Sequence, residues 1–542
     1  MTLALPPLLV ELNMSINQLA AVIGLYAGGL ALCLVAAEGL RRRLGDRNLA
    51  IAALGLFGIA SLLCAFAQSP GTLLFGRALQ AVGAAGSLVG CFALLRADRD
   101  PGARLWEGAA VIGFAAGPAL GGLLTELLDW RAIFVTQAPI AFVAALTAWQ
   151  SNDPAETPRP TRRAPDELTL GGIGRALARF APALALGLVA AALTAVLFGL
   201  VLLLVAGWAE SPLQAALAVS PLPLAAFPAS KLGGDARLRA CAGASLIAAA
   251  IASLAWLPEP NLIWPAAAAA VAGFGMGLAL SALSNDLLSE RTAADAARLM
   301  TIRHVGIVAA LLALAPLITA DLDEAIFDTR EQGVALVLDA ALPPDDKLDL
   351  APQLLATVDQ ERPRAALRDA FAAAEADRTG EFSDQELAVL EELAARADDV
   401  LVAAIADGFR SAFLLTAAFA GLAALALLPS RRRILAVAVI AGGAAVLPLT
   451  YRHLEAKRGP ETVTIADPCA DRDLPDSGGL TGFAQQAGLL ALDTAACRYG
   501  SSREELALAL ADQDSRRHFE DEHGFDPSSI GGIVEGLVFG DD

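Results

Sequence analysis

The stretch GFAAGPALGGLL, residues Gly113 to Leu124, decides how the chain is read. It is apolar enough for a membrane, yet it holds four glycines and a proline. In an exposed helix interior each glycine costs roughly 1 kcal/mol and a proline about 3. Lipid shifts that balance, because helices there associate by van der Waals contact and small residues let backbones approach. Gly113, Gly117 and Gly121 recur every four residues and so share one stripe of a helix, with Gly122 beside it. Pro118 removes one backbone hydrogen bond and favours a bend. The stretch reads as a pliable, closely packed, kinked membrane helix. A generic tight helix contact needs only G-x-x-x-G; the full G-x-x-x-G-P-x-x-G-G is far more specific.

The rest of the chain agrees with that environment. It has 542 residues, 56% hydrophobic and 18% charged, with a mean hydropathy of +0.56; soluble domains carry about 25% charge. Apolar runs near the ~20 residues that cross a bilayer recur twelve times. They are Ile16–Ala37, Leu49–Ala67, Leu73–Leu95, Gly108–Leu128, Ala132–Trp149 and Ala183–Trp208, then Leu213–Ala229, Ala240–Leu257, Leu262–Leu283, Ile302–Ile318, Ser411–Leu428 and Ile434–Thr450. The fold class is an all-α polytopic membrane protein.

The net charge of −19 is unevenly spread. Acid concentrates in 319–410 and after Tyr451. Base concentrates in short connections: Arg41–Arg47, Arg96–Arg104, Arg159–Arg163, Lys231–Arg239, Arg298–Arg303 and Ser430–Arg433. All fall on one side if the spans alternate, while AQSPGT, AESPL and LPEPN on the other side carry almost no Lys or Arg. The positive-inside rule puts the basic connections in the cytoplasm and both acidic segments outside. Strict alternation argues against nucleic-acid binding. MTLALPPLLVEL is too short to span and lacks the marks of a signal peptide; it reads as the outer half of a truncated first helix. Cys469 and Cys497 lie in the external tail, where an oxidising compartment permits a disulfide; the other cysteines sit in spans as small apolar residues.

The order of segments gives an N-terminal membrane half 1–149, a Pro- and Arg-rich cytoplasmic linker 150–180, and a second half 181–428 that contains an external acidic helical insertion, 319–410. An additional span, 432–451, and an external soluble domain, 452–542, follow. RRRLGDR in the first half is echoed by KLGGDARLR at the matching place in the second, as in transporters built from repeated halves.

Four motifs in family order make the chain similar to the major facilitator superfamily, especially its drug:proton antiporter branches. Gly113–Gly122 resembles the fifth-helix antiporter motif. WRAIFVTQAPIA, with Trp130, Arg131 and Pro139, resembles the segment that opens the sixth helix. GRALQAVGAAG, with Arg77, Gln80 and Gly83, resembles the fourth-helix R-x-x-Q-G-x-G-A motif, Ala81 replacing its first glycine. ALPPLLVEL resembles the A-L-P end of the first helix. The resemblance implies two six-helix halves, alternating access, a coupling role for Arg77, Gln80 and Gly83, and a cytoplasmic latch at Arg41, Arg42, Arg43, Gly45 and Asp46. In that latch Arg42 stands where the family has an acid and Glu38 replaces the leading glycine. Tyr26, Gln80, Thr136 and Gln137 are candidates to line a cavity. Glu126 and Asp129 read as interfacial, and Asp286 and Glu290 as solvated at the cytoplasmic end of their helix.

The function expected is proton-coupled efflux of small amphipathic or hydrophobic compounds across a plasma membrane, by a monomer, without a cofactor. Its partners are the lipid bilayer, protons and a small-molecule substrate. The alternative is a membrane sensor or scaffold that keeps the fold without transporting. No arrangement resembles a catalytic triad or a nucleotide-binding loop, which excludes enzyme chemistry of those kinds. Within the insertion, Glu375, Asp377, Thr379 and Glu386 follow an EF-hand register, but Glu at the first position and Thr at the fifth weaken it. No metal is expected.

Overall fold

The computed structural model describes residues 2–96, 101–151, 170–257, 260–288, 293–343, 346–347, 350–351, 363–377, 384–428 and 434–458. In the tail it describes 463, 465–470, 472, 474–475, 479–511, 513–524 and 526–527. No strand occurs among the described residues. The helices are α1 (Leu5–Glu11), α2 (Ile16–Leu44), α3 (Asp46–Ala65), α4 (Pro70–Leu94), α5 (Gly102–Leu127) and α6 (Arg131–Gln150) in the first half. The second half holds α7 (Leu170–Leu202), α8 (Pro212–Val219), α9 (Pro221–Ser230), α10 (Ala236–Ser253), α11 (Ile263–Ser281) and α12 (Ala293–Asp339). Then come α13 (Pro363–Asp377), α14 (Asp384–Ala426), α15 (Ile434–Arg458), α16 (Gly479–Tyr499), α17 (Arg503–Ala511) and α18 (Gln513–His523). Ten described segments are long and apolar enough to cross a membrane by length and composition; α5 and α15 cover the other two expected spans.

The chain divides into two compact bodies. The first is Met1–Val205, Glu210–Ala320 and Phe409–Lys457; the second is Ala206–Ala209, Asp321–Gly408 and Arg458–Asp542. In the first body the repeat suggested by the basic turns has local structural counterparts. Ser15 opens α2 with a capping box, its hydroxyl accepting from Gln18 N at 3.3 Å while Ser15 N donates to Gln18 Oε1 at 3.1 Å. Ser211 and Gln214 repeat this at the start of α8, at 3.2 and 2.9 Å. The following turns each pivot on a glycine with positive φ, Gly45 at 83° and Gly234 at 122°, a conformation open to glycine at little cost. Asp235 then caps α10 by accepting from Leu238 N at 2.9 Å.

Small residues set the packing of the first half. Along α4, a Cβ at Gly76 would meet Cys64 Sγ at 2.7 Å, at Gly83 Phe57 N at 2.6 Å, at Gly86 Ala53 Cβ at 2.6 Å, and at Gly90 Ala50 N at 2.9 Å. These glycines let α3 and α4 lie backbone to backbone in antiparallel register. The second half repeats the device, with α11 reaching Leu222 O of α9 at Gly273 and Gly243 of α10 at Gly275. Tyr451 of α15 docks on α11, its hydroxyl donating to Trp264 O at 3.2 Å.

Several boundaries differ from expectation. Arg298–Arg303 is not a loop: α12 begins at Ala293 and continues to Asp339, so the span expected at Ile302–Ile318 is the middle of a longer helix. Likewise α14 runs from the insertion into the Ser411–Leu428 span. Leu213–Ala229 is two helices meeting at Ser220, where prolines at 221 and 223 prevent continuous hydrogen bonding. The linker's last residues join α7, while 152–169 lie outside the described residues.

The two acidic segments, read as separate modules, form one body. Charge pairs tie it together. Arg364 grips Asp398 through two bonds of 2.7 Å and donates a third, of 3.1 Å, to Trp208 O. Arg503, fully buried, donates to Asp339 of α12 at 2.7 Å and to Glu504. Arg472 pairs with Asp493, and Cys469 is bonded to Cys497, their Cα atoms 5.0 Å apart. Such pairs add to an apolar core that includes Leu336, Leu367, Phe371, Leu401 and Phe519, since breaking a buried pair leaves an uncompensated charge. Lys347 is buried beside them and donates from Nζ to Leu338 O at 2.7 Å.

Burial pushes the Lys347 ammonium down to about 8, with Asp339 opposing the fall and Arg503 adding to it. A lysine depressed in the folded state sheds its proton there before it does in the unfolded chain. Its contribution to stability therefore rises with pH between about 8 and the ordinary 10.5 and is flat outside that window. Lys347→Met should remove this rise, measured as resistance of the second body to limited proteolysis at pH 7, 9 and 11. The same rise in the variant would place the titrating group elsewhere.

Candidate functional site

Three polar clusters sit in the otherwise apolar first body. The first is built on α4, whose start is fixed by Pro70 and by the Ser69 hydroxyl accepting from Thr72 N at 3.3 Å. Two turns on, Arg77 is 6% exposed, so it does not reach the interface. Its Nε donates to Val22 O of α2 at 3.0 Å, and Nη1 donates to Gln80 Oε1. The guanidinium stacks 4.2 Å from the Tyr26 ring centroid and 5.9 Å from that of Phe134. Gln80 Nε2 in turn donates to Ser61 Oγ and to Gln137 Oε1, both at 2.8 Å. Arg77, Gln80 and Gln137 thus join Tyr26, Ser61 and Phe134 in one network, which holds a charge by hydrogen bonds and ring faces and has no carboxylate among its described members. Gly83 lies outside it, at the α3–α4 backbone contact. Thr136 bonds within its own helix, to Ile133 O at 3.0 Å.

The second cluster gathers at the start of α6. Trp130, almost fully buried, donates from Nε1 to Glu11 Oε2. Arg131 donates to the other oxygen of Glu11 and to Asp129 Oδ2 at 3.0 Å, and its guanidinium covers the Trp130 ring at 4.4 Å. Glu11 is the acceptor that explains why Trp and Arg stand side by side. It drew no attention as a residue, because its partners lie some 120 positions away. Pro139 lies inside α6. Glu126 is exposed.

The third is the turn between α2 and α3. Arg41 binds Glu38 through bonds of 2.8 and 3.0 Å and Asp46 at 2.6 Å, and Arg42 lies 3.5 Å from Glu38. Arg41 is thus held between two acids of this turn, Glu38 and Asp46. Arg43 is exposed. Asp286 pairs with Arg239; Glu290 lies outside the described residues.

The opening glycines divide by position. At Gly122 a Cβ would meet Ala216 Cβ at 2.4 Å and Pro212 O at 3.0 Å, and at Gly121 it would meet Leu3 Cδ1 at 3.7 Å. At Gly113 and Gly117 no described atom lies within 4 Å. So, among the α5 glycines described, the close approach to α8 is at Gly122, with Pro118 lying between it and Gly117. The close approach falls on Gly122, beside the Gly113–Gly117–Gly121 stripe and not along it. A second seam joins α2 to α12. There Thr301 donates to Ala31 O at 3.4 Å, and a Cβ at Gly28 would lie 3.5 Å from Val308 Cγ2. Of the EF-hand register, Thr379 lies outside the described residues, as does the side chain of Asp377.

Gln80 is fully buried, so Gln80→Leu should strand the Arg77 guanidinium and cost about 1–3 kcal/mol. Thermal unfolding of the detergent-solubilised protein should show the fall, and Gln80→Glu should recover it. Equal melting of Gln80→Leu and the parent would mean that Arg77 finds its partners elsewhere.

Comparison with known proteins places these clusters in context. The sequence profile described as Major Facilitator Superfamily matches residues 1–316. Multidrug resistance protein MdtL of Salmonella heidelberg (strain SL476) is 32% identical over 170 residues, 30% of this chain and 42% of that protein. The Methylenomycin A resistance protein of Bacillus subtilis (strain 168) is 33% identical over 145 residues, 26% of this chain and 31% of that protein. The chain thus spans less than half the length of these curated relatives. A bacterial homolog of the human lysosomal transporter Spinster, solved inward-facing and unoccupied, superposes with a TM-score of 0.54 at 16% identity, covering 83% of this chain and 94% of that one. At that identity the likeness is one of fold.

Proposed function

The chain belongs to the major facilitator superfamily, and from that premise we propose that it works as a secondary transporter, exporting small amphipathic or hydrophobic compounds across a plasma membrane at the expense of a proton gradient. The observation that carries this reading is the unequal α5–α8 seam. A Cβ at Gly122 would meet Ala216 and the Pro212 backbone of α8, while at Gly113 and Gly117 it would meet no described atom within 4 Å. A seam shut at one end and open at the other is what alternating access requires of each of its states, as one half rocks against the other around a midplane site. Pro118 and the flanking glycines keep α5 pliable enough for the shut and open ends to exchange.

The remaining clusters take roles in this scheme. Glu11, Trp130 and Arg131 bind the chain's first helix to α6, so that the first half moves as a unit. Glu38, Arg41 and Asp46 stiffen the α2–α3 turn at the face where the halves would close, which the charge pattern of the connections makes cytoplasmic. Arg77, Gln80 and Gly83 form the coupling region, Arg77 being a charge in the hydrocarbon where ionisable groups are costly and tied to ion or substrate pathways.

In proteoliposomes holding the full chain, uptake of a fluorescent amphiphile should follow an imposed proton gradient and stop on adding a protonophore. Arg77→Ala and Gly122→Leu should each abolish it while the protein still inserts, the latter because its side chain has no room against Ala216. Undiminished transport by Gly122→Leu would refute the seam's role, and uptake indifferent to the gradient would refute the coupling.

A further inference from the structure

The twelve apolar segments contain two arginines, Arg77 and Arg303, and a single carboxylate, Glu126. Glu126 is exposed near the end of α5, so the interior is basic. Arg77 is engaged, with a carbonyl, an amide oxygen and two ring faces around it. Arg303 differs: it has no hydrogen-bond or ion-pair partner among the described residues.

The seam between α2 and α12 fixes its depth. Thr301 lies against Ala31 and Val308 against Gly28, so the helices run antiparallel and Arg303 stands near the level of Leu30. That is roughly 16 Å along α2 from the charged turn at Arg41, at 1.5 Å per residue, about half of a ~30 Å hydrocarbon core. Its direction follows from helix geometry. Ala310 and Leu314, seven and eleven residues on, share its face to within ~20°, and both are buried in the bundle. Leu312, on the opposite face, is 72% exposed. On its flanks α12 is held by α2 and by α7, where a Cβ at Gly306 would lie 2.1 Å from Gly187 O. The Arg303 side chain is half-buried, and none of its nitrogens is both sealed from solvent and unbonded. It therefore stays partly accessible on the side of α12 that Ala310 and Leu314 turn toward the bundle.

We infer that Arg303 binds the acidic group of the transported compound, and that the substrates are organic anions, an apolar body carrying a carboxylate, sulfonate or phosphate. The inference rests on the transport reading above. A guanidinium presents a fork of donors matched to such oxyanions, and in a low-dielectric setting an unpaired charge is stabilised most by a counter-ion. An organic cation would meet the Arg303 charge there, and no carboxylate among the described residues pairs with it. His304, next along α12, adds no negative charge; its Nδ1 lies 2.7 Å from Met300 O.

The test uses the full chain, purified and in proteoliposomes, with carboxyfluorescein as anionic probe and ethidium as cationic probe. Binding is read by fluorescence anisotropy in detergent and transport by vesicle uptake. The parent should bind carboxyfluorescein in preference to ethidium. Arg303→Gln should weaken that binding about tenfold, equivalent to ~1.4 kcal/mol, and Arg303→Lys should keep most of it. Anion binding that depends on Arg303 without uptake would sink the transport reading and leave the binding site standing. Uptake of ethidium in preference to carboxyfluorescein, or anion binding unchanged in Arg303→Gln, would overturn the inference and leave transport intact.

Discussion

Helices α3 and α4 can lie against each other only because α4 offers no side chain at Gly76, Gly83, Gly86 and Gly90, where the backbone or Cβ atoms of α3 come within the reach of a single carbon. In hydrocarbon no water is released by bringing two apolar helices together, so the gain must come from dispersion contacts across a short distance. Small residues are thus what holds the halves together, and the same arrangement recurs where α11 meets α9 and α10. The unequal α5–α8 seam is a variation on it. There Gly122 has α8 against it, and Gly113 and Gly117 have no described atom within reach of a Cβ.

This mode of packing leaves little room for charge, and the charges present are placed with corresponding economy. Arg77 is buried with a carbonyl and an amide oxygen as acceptors and ring faces over its guanidinium, which satisfy its donors without a second ion. Trp130 and Arg131 share the carboxylate of Glu11. Arg303 has no hydrogen-bond or ion-pair partner among the described residues. The second body follows the opposite rule: with a smaller apolar core it relies on buried ion pairs around Arg364 and Arg503 and on a disulfide. Arg364 reaches Trp208, a residue of the turn that joins α7 to α8.

The amino-acid sequence by itself determined the membrane class, the twelve apolar segments, the duplicated halves and the family, because these depend on length, hydropathy and short-range spacing. Helix-terminal chemistry was legible for the same reason: Ser-x-x-Gln before α2 and α8 and glycine at the two basic turns act over a few residues. The tertiary structure decided which glycine of GFAAGPALGGLL bears the contact, since helical periodicity gives a stripe but not the position of the neighbour. It decided that RLMTIR is helix and not loop, with Arg298 exposed and Arg303 half-buried on α12, because basic residues need not mark a helix end. Glu11 with Arg131, Ser61 with Gln80, and Asp339 with Arg503 pair residues far apart in the chain, and such pairings exist only after the helices have packed.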